Sequence, residues 1–213
     1  MKPLFLSVLF GLLLFTMVGC QRTRNLKVTE IGTNRVELFL DESSNNTLNL
    51  TSISFTWASL EPGAASPTRG DVSLDAVGSL NGQQYLVIFE DANYHGPPMA
   101  ENFRPNTPGI KVRDGFFPGY GNDPGVAMNV NGSHTGTAVL FIPTTESMND
   151  LVSFGASRRP TLPGTFIEAG ALNSVKPRGG QSISRRFSGG TPVDTNSGRD
   201  WSLQPESIGL ANP

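Results

Sequence analysis

Short runs of alternating apolar and polar residues recur along the chain, with turn-forming residues between them. Such runs predict β-strands that bury one face. Residues 27–31 (KVTEI) and 35–40 (RVELFL) flank Gly32-Thr33-Asn34, and this arrangement predicts a hairpin. Phe39 breaks the alternation of the second run, so we expect it to pack beneath a loop.

The run 47–57 (TLNLTSISFTW) changes phase in its middle. Its apolar residues lie on even positions before the change and on odd positions after it: Leu48, Leu50, Ile53, Phe55 and Trp57. One continuous strand would expose one of the two sets to solvent. We therefore expect a bulge or a break near Thr51-Ser52.

Further runs rich in β-branched and aromatic residues predict strands at 84–89, 126–130, 137–142, 150–154 and 181–187. The near-continuous apolar runs LVIF and AVLFI are typical of strands buried on both faces. Segments 61–68 and 93–125 have the composition of loops, and connections as long as the second are often functional or mobile. Helical periodicity is not sustained after residue 20. The pattern predicts an all-β domain, a β-sandwich with long loop insertions.

Composition supports this fold class and restricts the partners. The 24 Gly and 16 Pro among 213 residues disfavour long helices. The formal net charge of −2 gives no general attraction to nucleic acid or to an acidic membrane.

The N-terminal segment has the pattern of a secretory signal, in which an apolar stretch follows Lys2 and reaches Val18. The tetrapeptide Met17-Val18-Gly19-Cys20 resembles a bacterial lipobox, and Cys20 is the only cysteine of the chain. The resemblance implies that residues 1–19 are cleaved as a signal peptide. Cys20 then becomes the mature N-terminus and carries acyl chains such as palmitate.

The residues after the lipobox bear on the location. Gln21 follows the cysteine, and by resemblance to lipoproteins of double-membraned bacteria it implies the outer membrane rather than the inner one. Residues 20–26 form the lipidated N-terminus and a short polar tether, and residues 27–213 form the domain. The alternative is an ordinary secretory signal with Cys20 as a spare thiol. A lone cysteine provides no disulfide framework, which favours the anchor.

The order of the predicted strands carries a second resemblance. Its segments are 34–38 (NRVEL), 48–55 (LNLTSISF), 80–88 (LNGQQYLVI) and a closing run at 181–186, 194–201 and 207–213. In this order they resemble the lamin-tail domain, an immunoglobulin-like β-sandwich of nuclear lamins and many bacterial surface proteins. Ser52-Ile53 replaces the family's Gly-Trp pair, so Trp57 is expected to supply the aromatic anchor. The resemblance implies a fold and no activity.

Candidate catalytic residues are few. The sequence contains no G-x-S-x-G elbow, no G-x-x-x-x-G-K-[ST] loop and no H-E-x-x-H pair. The only histidines, His95 and His134, are expected to be separate solvated loop residues rather than a base or shared metal ligands. A hydrolase would need a pocket in the 91–125 loop that joins them with Asp114 or Asp123. We therefore expect no catalytic residues, no cofactor and no metal.

The run 194–200 (DTNSGRD) places oxygen ligands at alternate positions, as a calcium loop would. Gly198 is off the position that such a loop requires, and Arg199 places a cation inside it. We expect instead that the Asp and Asn side chains bind turn amides before a strand at Trp201.

Basic residues are concentrated between positions 158 and 199: Arg158, Arg159, Lys176, Arg178, Arg185, Arg186 and Arg199. Such a set is suited to an anionic glycan, a lipid headgroup or DNA, but a solvated basic face is the favoured interpretation. Arg185 and Arg186 are adjacent in a predicted strand, so they must point to opposite faces.

Taken together, the residues predict a lipid-anchored envelope lipoprotein that acts as a non-catalytic binding or surface-structural module. Its expected partners are the membrane, through the acyl anchor, and a protein or an anionic polymer, with no specific nucleic acid. One alternative is an extracellular hydrolase or nuclease, or an accessory domain of one. The other is weak DNA or glycan binding through the basic C-terminal third.

Overall fold

The computed structural model describes residues 26–60, 68–117, 137–143, 148–155, 180–195, 198–210 and 212. Cys20, the predicted strand at 126–130, and the candidate residues Asp123 and His134 lie outside these ranges.

The described residues are organised as strands, and no α-helix occurs among them. The strands are β1 Leu26–Ile31, β2 Arg35–Leu40, β3 Thr47–Asn49, β4 Ser54–Leu60, β5 Thr68–Ser73, β6 Ser79–Asn81, β7 Tyr85–Asp91, β8 Met99–Ala100, β9 Gly109–Arg113, β10 Thr137–Pro143, β11 Met148–Gly155, β12 Gln181–Arg185, β13 Phe187–Ser188, β14 Thr191–Pro192 and β15 Trp201–Pro205. Short 3₁₀ turns occupy Asp75–Val77 and Gly198–Asp200. The all-β prediction is confirmed.

Two sheets form the body of the domain. A seven-stranded sheet has the order β15-β12-β1-β2-β7-β9-β8, and a four-stranded sheet has the order β11-β10-β4-β5. The pairs β13-β14 and β3-β6 form two small additional sheets. All pairings in the two larger sheets are antiparallel except that of β7 with β9, which is parallel.

The predicted N-terminal hairpin is confirmed. Ile31 of β1 pairs with Val36 of β2, and the Gly32 N–H donates to the Arg35 carbonyl at 2.9 Å. Phe39 is buried between the rings of Tyr85 and Phe187, at centroid distances of 4.9 and 5.4 Å. Phe187, which covers Phe39 on one side, belongs to the small β13-β14 hairpin.

The predicted break after Leu50 is also confirmed. β3 ends at Asn49 and β4 begins at Ser54, and between them Ser52 adopts a positive φ of 64°. The Ser52 N–H donates to Asp75 Oδ1 at 2.7 Å, which stabilises this conformation from a distant turn. The break lets both apolar sets face inward, since Leu50, Ile53, Phe55 and Trp57 are all buried.

The prediction that 93–125 is a loop is wrong for part of the segment, because β8 and β9 lie within it. β9 runs parallel to β7, with Val87 opposite Gly109 and Asp91 opposite Arg113. β9 is only five residues long and follows Pro108, so its alternation of apolar and polar residues is difficult to recognise among the surrounding turn-forming residues. Thr68, assigned to a loop, likewise begins β5.

One apolar cluster lies between the two larger sheets. It contains Val28, Leu38, Leu86, Ile88, Ile110 and Ile183 from the seven-stranded sheet, and Phe55, Trp57 and Val72 from the four-stranded sheet. Full burial of one such side chain contributes about 1.5–3 kcal/mol. The shared core makes the domain a two-layer, β-sandwich-like structure.

Candidate functional site

A cavity of about 530 Å³ opens between the edges of the two larger sheets. Strands β4 and β5 form one side, and β9 with the loop after β7 forms the other. Among the described residues, those that line it are Trp57, Gly70, Asp71, His95, Gly96, Pro97, Pro98, Val112, Arg113, Gly115 and Phe116. This volume is within the range of small-molecule sites. We call it the Trp57 cleft.

Trp57 and Gly70 form the floor of the cleft. They are directly opposed on β4 and β5, and a Cβ on Gly70 would lie 2.2 Å from Trp57 Nε1. The indole therefore covers the glycine of the neighbouring strand, an arrangement that protects a weak position in a sheet. Any side chain at position 70 would displace the indole.

The indole N–H of Trp57 is the most unusual polar group of the cleft. Trp57 is only 4 % exposed, and its Nε1 has no acceptor among the residues that the structure describes. A buried donor without an acceptor costs about 1–3 kcal/mol. Because Nε1 is itself buried and lies against Gly70, it is a cost to the fold and does not face a ligand in the cleft.

An aromatic cluster makes this wall rigid. The Trp57 and Phe116 rings are 6.2 Å apart and perpendicular, and Phe116 and Phe117 meet edge to face at 5.1 Å. The Phe117 N–H donates to Glu90 Oε1 at 2.6 Å. Burial raises the pKa of the Glu90 carboxyl, and this hydrogen bond acts in the opposite direction. Packing and the hydrogen bond together fix the segment after β9.

The rim of the cleft carries the charged and titratable groups. Asp71, His95 and Arg113 are exposed at its mouth. Arg113 forms no ion pair with any described residue. The guanidinium is therefore available to a ligand from solvent.

The loop that carries His95 is held by its own contacts. The Tyr94 hydroxyl donates to the Pro97 carbonyl, and Lys111 Nζ lies 5.0 Å from the Tyr94 ring centroid. Lys111 Nζ also lies 2.5 Å from Glu101 Oε2. These contacts present the Pro97-Pro98 pair to the cleft as a preformed wall.

Of the two predicted enzyme candidates that the structure describes, one lies at this cleft. His95 lines it, whereas Asp114 is not a lining residue and its N–H donates to the Tyr94 carbonyl at 3.2 Å. Sequence reasoning assigned Trp57 to the core and did not identify the cleft residues Gly70, Asp71, Arg113 and Phe116. The one local signal for these cleft residues is the glycine inside the short run TRGDVS, because a glycine within a strand indicates that another group approaches the backbone closely there.

The 194–200 segment uses its carboxylates within the protein. Asp194 forms ion pairs with Lys27 and with Arg185, the latter at 3.2 Å between Oδ1 and Nη1. Asp200 accepts hydrogen bonds from the Thr195 N–H at 2.6 Å and the Thr195 hydroxyl at 2.8 Å. This confirms the turn interpretation for Asp200. In the described part of the chain, no group of three potential His, Cys, Asp or Glu metal ligands occurs.

The expected solvated basic face is wrong for Arg185, which is 0 % exposed. Its Nε donates to the Val28 carbonyl at 3.0 Å, and its guanidinium lies 4.6 Å from the Trp201 ring centroid. Arg186 is exposed, so the prediction of opposite faces is confirmed. Arg158, Arg159, Lys176 and Arg178 lie outside the described residues.

A second buried polar cluster joins the C-terminal segment to the sheet, and we call it the carboxylate clasp. Glu30 accepts hydrogen bonds from the N–H and hydroxyl of Ser207, both at 2.8 Å. Glu37 accepts from the Thr29 hydroxyl at 2.6 Å and the Gly209 N–H at 2.5 Å. The Asn212 amide donates to the carbonyls of Thr29 and Arg185.

The titration of the clasp follows from its burial. Burial raises the pKa of Glu37 from its ordinary 4.5 to about 8, although the hydrogen bonds from Thr29 and Gly209 lower it. Burial also raises the pKa of Glu30, against the hydrogen bonds from Ser182 and Ser207. The clasp thus binds a proton more readily than exposed carboxylates do.

Comparison with known proteins adds no relative: no family model, curated protein or solved structure matches this chain. The described part of the chain contains no helix that is long and apolar enough to cross a membrane.

Proposed function

We propose that this chain is a lipid-anchored envelope lipoprotein whose β-domain is a non-catalytic binding module. The observation that carries the binding function is the Trp57 cleft, with its preformed aromatic wall and a rim guanidinium that has no ion-pair partner among the described residues. Rigid scaffolds that present such concave sites are the usual places for ligands.

The anchor is proposed from the N-terminal sequence alone. The lipobox-like tetrapeptide ends at Cys20, the only cysteine. Acyl chains contribute about 0.8 kcal/mol for each methylene that they bury in the bilayer, so several chains hold a protein stably. The location that we propose is the outer membrane of a double-membraned bacterium, with Gln21 as its basis.

The fold that we propose is the immunoglobulin-like sandwich of lamin-tail domains. The carboxylate clasp supports it, because the opening segment 34–38 and the closing segment 207–213 carry the resemblance. Glu37 of the first segment accepts a hydrogen bond from Gly209 of the second. Two distant sequence motifs thus form one buried polar cluster.

Cys20→Ala is expected to release the protein from the membrane fraction and to abolish labelling by an alkyne-palmitate analogue. The reason is that no other thiol in the chain can accept an acyl chain. Membrane fractionation with an immunoblot measures the release. Gln21→Ala is the control and keeps the label. Retention of unlabelled Cys20→Ala in the membrane would contradict the anchor.

The binding function predicts crosslinking adducts that depend on the cleft. Arg113→Gln removes the rim cation, so adducts formed by the anchored protein in its native envelope are expected to fall at least about tenfold, the effect of about 1.4 kcal/mol. Arg186→Gln, which removes an exposed cation outside the cleft, is the matched control. The measurement is the yield of adducts on a denaturing gel.

The hydrolase alternative is favoured by one observation, the presence of His95 and Asp71 at the same cleft. Ser, Thr, Cys and Lys do not occur among the described lining residues. We expect no turnover of ester, phosphodiester or glycan substrates by the purified protein. Turnover that disappears in His95→Ala would replace the binding function by catalysis.

A further inference from the structure

The turn that follows β9 contains one backbone amide that its described neighbours leave without a hydrogen bond. The Asp114 N–H donates to the Tyr94 carbonyl at 3.2 Å, and the Phe116 N–H donates to the Arg113 carbonyl at 3.3 Å. Between these two hydrogen bonds, the Gly115 N–H has no acceptor among the residues that the structure describes. The Gly115 nitrogen can therefore approach a neighbouring electrophile without breaking a hydrogen bond.

The side-chain carboxyl of Asp114 is that electrophile. Asp114 and Gly115 are both exposed, and the Asp114 carboxyl forms no ion pair or hydrogen bond with a described residue. Gly115 has a φ of 67°, and a Cβ at this position would meet no atom within 4 Å. Glycine adopts this conformation without strain, and it carries no side chain that would shield its nitrogen. Closure of a five-membered ring from this nitrogen to Asp114 Cγ is therefore sterically open.

We propose that Asp114-Gly115 is a site of spontaneous backbone isomerisation, at which aspartate is converted to isoaspartate through a cyclic imide. The Gly115 nitrogen attacks Cγ of the Asp114 carboxyl in its acid form. A C–N bond forms and the C–OH bond breaks, and the hydroxyl leaves as water with the amide proton. Hydrolysis then returns one water and breaks the bond from the nitrogen to the former main-chain carbonyl. The main chain thereafter continues through Cβ and Cγ of Asp114, and no oxidant, reductant or cofactor takes part.

The product lengthens the main chain at the rim of the Trp57 cleft. Isoaspartate adds one methylene to the backbone between Arg113 and Gly115 and leaves its carboxylate on the α carbon. Gly115 and Phe116 line the cleft, and Arg113 supplies the rim guanidinium. The hydrogen bond from the Phe116 N–H to the Arg113 carbonyl closes this turn, and we expect the longer turn to lose it. The modification thus changes the cleft covalently, whichever ligand the cleft binds.

A second dipeptide of the same kind provides an internal control. Asn81-Gly82 lies at the end of β6, and in an unfolded chain at pH 7 it forms the same imide faster, because a neutral amide is a better electrophile than an ionised carboxylate. The folded structure blocks this reaction. The Gly82 N–H donates to the Asn46 carbonyl at 2.8 Å, and a Cβ on Gly82 would overlap the Ser43 carbonyl oxygen. Asn81 Oδ1 also accepts from the Thr47 hydroxyl at 3.0 Å, which holds the side chain toward β3.

The test is incubation of the detergent-solubilised, full-length protein at pH 7 in water enriched in heavy oxygen. Each passage through the imide leaves heavy oxygen in the side chain or backbone of the reacting residue. Chymotryptic peptides, analysed by mass spectrometry with electron-transfer fragmentation, separate Asp114 from Asn81 and from Asn131-Gly132, which lies outside the described residues. In the folded protein, label is expected to enter at Asp114 at least about tenfold faster than at Asn81. In guanidinium chloride, this order is expected to reverse.

The variant Asp114→Glu locates the chemistry. Glutamate keeps the charge, but its longer side chain would have to close a six-membered ring, which forms more slowly. Labelling at position 114 is therefore expected to fall at least about tenfold. Thermal melts of the variant and the wild type confirm that both are folded during the incubation.

Three results would overturn the assignment. The first is the absence of label at Asp114 in the folded protein when the denatured protein acquires it, which would show that the turn protects Gly115. The second is equal labelling of Asp114 and Asn81 in the folded protein, which would show that the contacts around Gly82 do not distinguish the two sites. The third is labelling of Asp114→Glu at the wild-type rate, which would indicate simple oxygen exchange of a carboxyl rather than an imide.

Discussion

Arg185→Met is expected to lower the free energy of unfolding by about 3–5 kcal/mol, the usual cost of breaking a buried ion pair from one side. Arg185 is 0 % exposed, and its Nη1 is 3.2 Å from Asp194 Oδ1. The substitution also removes the donor to the Val28 carbonyl and the cation above the Trp201 ring. Methionine fills the volume, so the loss reports the polar contacts rather than a cavity. Urea denaturation followed by far-UV circular dichroism measures it.

The neighbouring residue provides the matched control. Arg186→Met removes an identical side chain that is exposed on the opposite face, and is expected to change stability by about 0.5 kcal/mol or less. In the double variant Arg185→Met, Asp194→Asn, the loss is expected to be smaller than the sum of the two single losses, because both substitutions remove the same ion pair. Equal effects at positions 185 and 186 would contradict the structural role of Arg185.

This pair of arginines shows what the sequence can and cannot predict. Strand periodicity predicts that Arg185 and Arg186 face opposite ways. It does not predict which of them is buried, because that depends on β12 lying between β1 and β15. The countercharge Asp194 lies beyond a turn and two short strands. Composition alone favours solvation for both, and that inference fails for one.

The sequence predicts those parts of the fold that depend on neighbouring residues in the chain. The hairpin at 32–34 and the break at Thr51-Ser52 follow from turn residues and from parity, and both are confirmed. β9 was missed because its parallel pairing with β7 has no turn signature between adjacent strands. Parallel neighbouring strands need a long connection, and the sequence of that connection has the composition of a loop.

The candidate site was less predictable than the fold. Trp57 was recognised as a buried aromatic, but its partner Gly70 is known only from the register of β4 and β5. Arg113 and Phe116 reach the same cleft from the other sheet. With the loop that carries His95, four separate chain segments thus meet in a cavity, and no spacing rule in the sequence connects them. The lipobox differs in this respect, since its residues are contiguous.

The carboxylate clasp gives the second large effect, a fall in stability as pH rises from about 5 to about 8. The pKa of Glu37 is raised by burial from 4.5 to about 8. The folded state therefore holds a proton in this window that the unfolded state has already lost, and the free energy of unfolding falls with increasing pH. The contribution is complete below pH 4.5 and is lost as pH approaches 8. The steepest fall is about 1.4 kcal/mol per pH unit.

Charged neighbours leave the direction of this effect unchanged. Glu30 raises the pKa of Glu37 further, and Arg104 lowers it, but both contributions are smaller than that of burial. The protonated carboxyl also fits its surroundings. Its O–H can donate to the Thr29 hydroxyl, whose own hydrogen is free to rotate, while its carbonyl oxygen accepts from Gly209.

Glu37→Gln copies the protonated form and tests this prediction. Its amide can donate to the Thr29 hydroxyl and its carbonyl can accept from Gly209, so we expect stability close to that of the wild type at pH 5. By pH 8 the variant is expected to be more stable than the wild type, with a flatter pH dependence. Urea denaturation at pH 5, 6, 7 and 8 measures both curves.

Asn212→Ala removes two buried donor contacts without removing a titrating group, and is expected to lower the whole curve by about 1–3 kcal/mol with its slope retained. Parallel curves for the wild type and Glu37→Gln would show that Glu37 is ionised in the folded protein throughout this range. The clasp would then hold the C-terminal segment as a carboxylate that accepts hydrogen bonds from Thr29 and Gly209.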